Sequence, residues 1–137
     1  MKAFFDSSAF AKRFIEESGS QSVEELCAQA TELYLSVLCV PEIVSALQRR
    51  LREKALTSYE YAQAKSHVAQ DVRDAVIVNL TESVLQASIA VLESSPVRTL
   101  DALHIGCAIE CGVELFVSAD AKQLAAARRA GLKTRPV

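Results

Sequence analysis

The chain opens on Lys2-Ala-Phe-Phe-Asp6, a short apolar run that ends at a carboxylate. No polar residue alternates with Ala3, Phe4 and Phe5, so the stretch suits a strand covered on both faces, as in the middle of a parallel sheet. An ionised Asp at the tip of such a strand needs a cation or several hydrogen-bond donors, and in open α/β sheets ligands gather at the carboxyl ends of the strands. Asp6 therefore has two readings. It is a functional acid, or it is the N-cap of a helix beginning near Ser8.

The rest of the chain supplies strands and helices in alternation. Ser8 to Ile15 reads as a short helix and Glu16 to Ser20 as the loop that ends it. Ser22 resembles an N-cap with Glu25 in the capping-box position, ahead of Val23, Leu26, Ala30 and Leu33 at helical spacing. Leu33 to Ser36 reads as a strand. Val37 to Lys54 then carries an apolar stripe of Ile43, Val44, Leu47 and Leu51, with Pro41 and Glu42 in its first turn. Thr57 or Ser58 caps a further helix to about Asp74, followed by a strand over Ala75 to Asn79. A helix from Thr81 is terminated by Ser94-Ser95-Pro96. Thr99 to Cys111 is apolar around almost its whole circumference and is closed by Gly112. Glu114 to Val117 is a strand, Asp120 to Ala130 a helix followed by Gly131, and Leu132 to Thr134 a last strand. This alternation predicts an α/β fold with a mainly parallel central sheet covered on both sides. With 137 residues, half of them apolar, residues 1–137 suffice for one domain and are too few for two.

Composition excludes several classes. Fifteen Lys and Arg against 17 Asp and Glu leave a formal charge of -2, so any binding to nucleic acid needs a local patch. No apolar run approaches the roughly 18 residues of a membrane span, and Asp6 interrupts the N-terminal run well short of a signal-peptide core. A soluble cytoplasmic protein with no membrane association is expected. Cys27, Cys39, Cys107 and Cys111 show no CxxC spacing and read as free thiols. Cys107 and Cys111 share a helical face but lack the further ligands a zinc site requires.

Four acids stand out. Asp6, Glu42 and Asp120 lie where strands deliver the chain to one sheet edge, and Asp101 sits one turn into the apolar helix. Acids brought together there repel one another and hold their protons more tightly unless a cation is present. Carboxylates without His or Cys neighbours are the hard oxygen donors that select magnesium or manganese. Such ions, singly or as a pair about 4 Å apart, support attack of water on a phosphodiester. Ser7 and Ser118 stand beside two of the acids, where they orient water or a ligand, or serve as turn and cap hydroxyls. Arg49, Arg50, Arg52 and Lys54 form a basic run that is either a solvated face or a track for an RNA backbone, and Lys12 and Arg13 lie on the helix that starts at Asp6.

Phe5-Asp6-Ser7-Ser8-Ala9 with Lys12, Pro41-Glu42, Asp101-Ala-Leu-His104 and Ser118-Ala-Asp120 resemble, in order and spacing, the motif set of PIN-domain ribonucleases, most nearly the VapC-type toxins of prokaryotic toxin-antitoxin pairs. The family's acidic metal ligands map onto Asp6, Glu42, Asp101 and Asp120. The resemblance implies a three-layer α/β/α sandwich, RNA cleavage dependent on magnesium or manganese, a homodimer, and inhibition by a cognate antitoxin. The helical segments Glu24 to Leu33 and Leu47 to Ala64, with Tyr59 and Tyr61, are the expected dimer face.

Two other functions compete. A receiver-like phosphoacceptor domain also gathers acids, a hydroxyl and a Lys around magnesium, but no acid ends the Ala75 to Asn79 strand, where its acceptor would stand. A catalytically silent binding module keeps the fold without the reaction, and the intact acid set argues against it. Ser7, His104 and Asp101 supply the residue types of a hydrolase triad without the GxSxG elbow, and no glycine-rich phosphate loop is present. His104 reads as a packed core residue or as a neighbour of Asp101 on the same helix, and His67 as a surface residue.

Overall fold

The computed structural model describes residues 1–137. Five parallel strands, β1 (Lys2–Phe5), β2 (Glu32–Ser36), β3 (Val76–Val78), β4 (Leu115–Ser118) and β5 (Thr134–Pro136), stand in the order β3-β2-β1-β4-β5. β1 takes the centre, with Ala3 and Phe4 aligned to Leu33 and Tyr34 on one side and to Leu115 and Phe116 on the other. The reason is burial. Ala3, Phe4 and Phe5 are fully enclosed, and no edge position would cover both faces of that run.

Seven α-helices cover the sheet: α1 (Ser7–Phe10), α2 (Ser20–Gln29), α3 (Cys39–Arg52), α4 (Ser58–Asp71), α5 (Glu82–Ser94), α6 (Thr99–Cys111) and α7 (Ala121–Arg129). Side chains of β1 alternate between the two layers. Ala3 and Phe5 join Phe10, Leu35, Ile43, Leu47 and Val68 on the α1–α4 side, while Phe4 stacks on Phe116 and packs with Val84, Ile105 and Leu124 on the α5–α7 side. The result is the three-layer α/β/α sandwich expected from the alternation of elements. Strand order reverses between β1 and β4, which opens a crevice beyond their carboxyl ends.

Several boundaries differ from the sequence reading. The helix expected over Ser8 to Ile15 stops at Phe10 and tightens into a 3-10 turn over Ala11–Arg13. The next helix starts at Ser20, because Gly19 adopts a left-handed backbone at φ 93° and a Cβ there would meet the backbone of Val137 at 2.6 Å. Ser22 is thus inside the helix rather than its cap. That helix ends at Gln29, and Leu33 lies wholly in β2. α4 ends at Asp71 and gives way to a 3-10 turn over Val72–Asp74. The last strand lies at Thr134–Pro136, later than expected, with Leu132 packed against the α5–α7 core. Pro136 is accommodated because β5 is an edge strand.

All four cysteines are free. Burial pushes the Cys39 thiol up to about 12 and those of Cys27 and Cys111 up to about 11, which marks them as inert packing groups. No helix is long and apolar enough to cross a membrane.

Candidate active site

Asp6 follows β1 directly and is 2% exposed. Its amide continues the ladder by donating to the Val117 carbonyl at 3.0 Å, which fixes the residue at the crevice between β1 and β4. Oδ1 accepts the Ala9 amide at 2.9 Å and the Ser8 hydroxyl at 2.8 Å, while Oδ2 accepts the Ser118 hydroxyl at 2.7 Å. Asp6 therefore caps α1 and is also a buried carboxylate at the strand end; the two readings hold together. Burial raises its pKa, against the opposing pull of the Ala9, Ser118 and Ser8 donors. No Lys, Arg or His lies within ion-pair distance of it.

Glu42 enters from the first turn of α3, where its Oε1 accepts the Ser7 hydroxyl at 2.7 Å and makes a short bond with His104 Nε2. Burial raises the Glu42 pKa, but the bonds from His104 and Ser7 outweigh it, and the carboxyl ends below its usual range. His104 is 2% exposed and sets its ring at 72° to that of Phe4. Its Nε2 faces Glu42 Oε1, a carboxylate oxygen that can only accept, while Nδ1 is buried without a partner. The residue is both core and site, packed through its carbons and engaged through one nitrogen.

Asp101 and Asp120 form the other half. Asp101 lies in the first turn of α6, with the Arg98 Nε 3.7 Å from its Oδ2. Burial, then the neighbouring Asp120 charge, raises its pKa, and Arg98 offsets part of the effect. Asp120 caps α7 through Oδ1, which accepts the amides of Lys122 at 2.8 Å and Gln123 at 3.1 Å. Both acids border a cavity of about 650 Å3 lined also by Pro96, Val97, Arg98, Ala121 and Lys122. Gln123, which no sequence motif singled out, is buried between the two halves. Its amide donates to the Asp101 carbonyl at 3.2 Å, and its Oε1 lies 3.3 Å from the Ser118 hydroxyl.

The four acids thus occupy one edge, but they do not close into a single cluster. No three His, Cys, Asp or Glu side chains stand close enough for a ready-made metal cage. The cause is visible in the bonds: Asp6 and Asp120 turn oxygens into the first turns of α1 and α7, and Glu42 turns to His104. The donor chemistry nevertheless fits a hard divalent cation. Asp6 is a buried carboxylate without an ion-pair partner, and Asp101, its pKa raised by burial and then by the Asp120 charge, meets only the exposed Arg98 at 3.7 Å. Ser7 and Ser118 donate to the acids themselves.

Of the basic residues, Lys12 is buried, donates to the Ser18 carbonyl and pairs with Glu17 at 3.4 Å. Arg13 pairs with Glu24 and Asp71, each at 3.2 Å, and lies over the Phe10 ring. Both side chains are engaged within the fold. Arg50 pairs with Glu17 at 3.5 Å, and Arg49 is exposed. These two line a cavity of about 470 Å3 that reaches Ser8 and Ala119 at the acid edge.

Comparison with known proteins agrees with this architecture. Ribonuclease VapC45 of Mycobacterium tuberculosis is 30% identical over 135 residues, covering 97% of this chain and 94% of its own length. Among solved structures, VapBC2 from Rickettsia felis bound to a promoter DNA fragment aligns with a TM-score of 0.72 at 12% identity, covering 100% of this chain and 99% of that one. VapC20 of Mycobacterium tuberculosis, a sarcin-ricin loop cleaving toxin, aligns with a TM-score of 0.70 at 16% identity, covering 90% and 94%. The PIN domain family model matches residues 3–129, a span that carries the acids after β1, in α3, in α6 and in the β4–α7 turn, and the chain belongs to the PIN-domain family.

Proposed function

We propose that this chain is an endoribonuclease that hydrolyses RNA phosphodiesters at the β1/β4 edge and serves as the toxin of a toxin-antitoxin pair. Membership of the PIN family and relatives named Ribonuclease VapC support the nuclease. The observation that carries the site is Asp6, a carboxylate buried at the topological switch point with no counter-ion. Asp6, Glu42, Asp101 and Asp120 would hold magnesium or manganese, which when bound supplies the charge that makes water a nucleophile and stabilises the leaving oxygen. The protein's own part is to aim the acids. Ser118 and Ser8 hold Asp6, while Ser7 and His104 hold Glu42 in its ionised form. A phosphoacceptor reading finds no acid in β3 or in Asn79 and Leu80 after it.

On this reading residues 1–137 act as one PIN-like domain in the cytoplasm, with RNA as substrate and an antitoxin protein as inhibitor. A homodimer completes the proposal. Tyr59 is 71% exposed on the face expected to dimerise, and α5 shows a second apolar face through Leu85, Ile89 and Leu92. Monomer alone in light scattering at micromolar concentration would count against it. The deciding assay for the nuclease is cleavage of total RNA with magnesium, with manganese and with chelator. Wild type should cut only with the ion and Asp6→Asn should not cut; undiminished cleavage in excess chelator would sink the metal-dependent reading.

A further inference from the structure

Two cations stand where helix electrostatics disfavours them. Arg98 occupies the N-cap of α6, a position that favours Ser, Thr, Asp or Asn, and its side chain makes no cap bond and is 87% exposed. Lys122 lies in the first turn of α7, where the positive end of the helix dipole repels an ammonium, and no carboxylate lies within 4.0 Å of it. Arg98 reaches only Asp101, at 3.7 Å on the same helix, and Lys122 makes no ion pair at all. Departures from local rules of this kind collect at functional sites. Both side chains line the same cavity, and its other polar walls are Asp101 and Asp120.

We propose that Arg98 and Lys122 hold the phosphate backbone of single-stranded RNA in the cavity between the first turns of α6 and α7, beside the acids. The inference rests on the nuclease reading and adds to it the side of the site from which RNA is gripped. A polyanion crossing an acidic edge requires cations beside that edge, and counterion release makes each phosphate contact visible in the salt dependence of binding. Arg49, exposed in a separate cavity that reaches Ser8 and Ala119, supplies a further cation near the acid edge. The strand thus passes from Arg49 across the acids to Arg98 and Lys122.

The test is fluorescence anisotropy of a fluorescein-labelled, mixed-sequence 12-nucleotide RNA in EDTA, where cleavage is suppressed, over a range of KCl concentrations. Arg98→Ala/Lys122→Ala should weaken binding tenfold or more at low salt. It should also reduce the slope of log affinity against log salt by about 1.4, since each phosphate left without its cation lowers the slope by roughly 0.7 on a single strand. The charge-preserving pair Arg98→Lys/Lys122→Arg should retain most of both, which separates charge from folding, as does circular dichroism of each variant. Lys65→Ala/Arg73→Ala, two exposed cations on and after α4, should change neither. Wild-type affinity and slope in the Ala pair, an equal loss in the remote pair, or no measurable binding by wild type overturns the proposal. Cleavage of total RNA by wild type in manganese decides the underlying reading separately. Wild type that cuts while the Ala pair binds normally removes the grip alone. Wild type that never cuts while the Ala pair loses binding leaves the grip and removes the reaction.

Discussion

The Ser118 hydroxyl donates to Asp6 Oδ2 at 2.7 Å, joining the end of β4 to the end of β1 across the strand-order reversal. The same oxygen accepts the Asp120 amide at 3.0 Å, so one buried hydroxyl sets the relation between two of the acids. Ser118→Ala removes a donor from an enclosed carboxylate and an acceptor from an amide. The expected cost is about 1.5–3 kcal/mol of stability, with loss of RNA cleavage. Denaturant unfolding and a total-RNA assay check it, and a variant with wild-type stability would show that Asp6 is held by its other partners.

Asp6 itself should work against stability when no cation is bound. Its folded pKa is raised, chiefly by burial, so the folded state binds its proton more tightly than the unfolded chain does. The sign follows from linkage: stability falls as pH rises through the window between the unfolded value near 3.9 and the raised folded value. Asp6→Asn keeps an oxygen to cap Ala9 and carries no charge, so it should melt higher than wild type at neutral pH in chelator while losing cleavage. The gap should close as pH falls towards 4. Glu42, lowered by His104 and Ser7, pulls the other way in both proteins and cancels in the comparison. Melting curves of the two proteins with the same pH dependence would refute this account.

How much of this was legible in the chain depends on the range of the forces involved. β1 and its terminal acid were readable because the burial of Ala3 to Phe5 is written in three adjacent residues. The Glu42–His104 bond was not, because its partners lie 62 residues apart and a single His in an apolar helix reads as core. Gln123 is hidden likewise, since its partners Asp101 and Ser118 are brought to it by the fold. The partners of Lys12 and Arg13 were not legible, because sequence proximity to Asp6 says nothing of direction. After Phe10 the chain tightens, and their partners are Glu17, Ser18, Glu24 and Asp71. Ser22 and Glu25 satisfy a capping pattern that Gly19 pre-empts by starting the helix earlier.

The packing of α5 on α6 depends on Gly106. A Cβ at that position would lie 2.1 Å from Ser88 Oγ and 2.8 Å from the Val84 carbonyl, which are already bonded to each other at 2.7 Å. Gly106→Ala gains about 1 kcal/mol in helix propensity. The clash should outweigh it and leave a net loss of about 1–3 kcal/mol. Ser88→Ala in the same chain removes the nearer obstacle and should recover part of that loss. A stabilised Gly106→Ala protein in denaturant titration would mean that the two helices separate freely.

Asp120 separates the structural and the chemical uses of one side chain. Its Oδ1 accepts the amides of Lys122 and Gln123, and Asn caps about as well as Asp, so Asp120→Asn should not lower the melting temperature in chelator. The charge has a second effect, because it raises the Asp101 pKa across the shared cavity. A divalent ion bound there by the folded form alone would relieve that repulsion. The stabilisation grows with the logarithm of free ion over Kd, about 2.7 kcal/mol at a hundredfold excess. Wild type should therefore show a rise in melting temperature on titration with magnesium or manganese. Asp120→Asn lacks one negative charge at the cavity wall, and its rise should be smaller at every ion concentration, with cleavage reduced in step. If Asp120 serves only as a cap, the two metal-induced shifts will be identical, and parallel melts of wild type and variant from chelator to millimolar ion decide between the two.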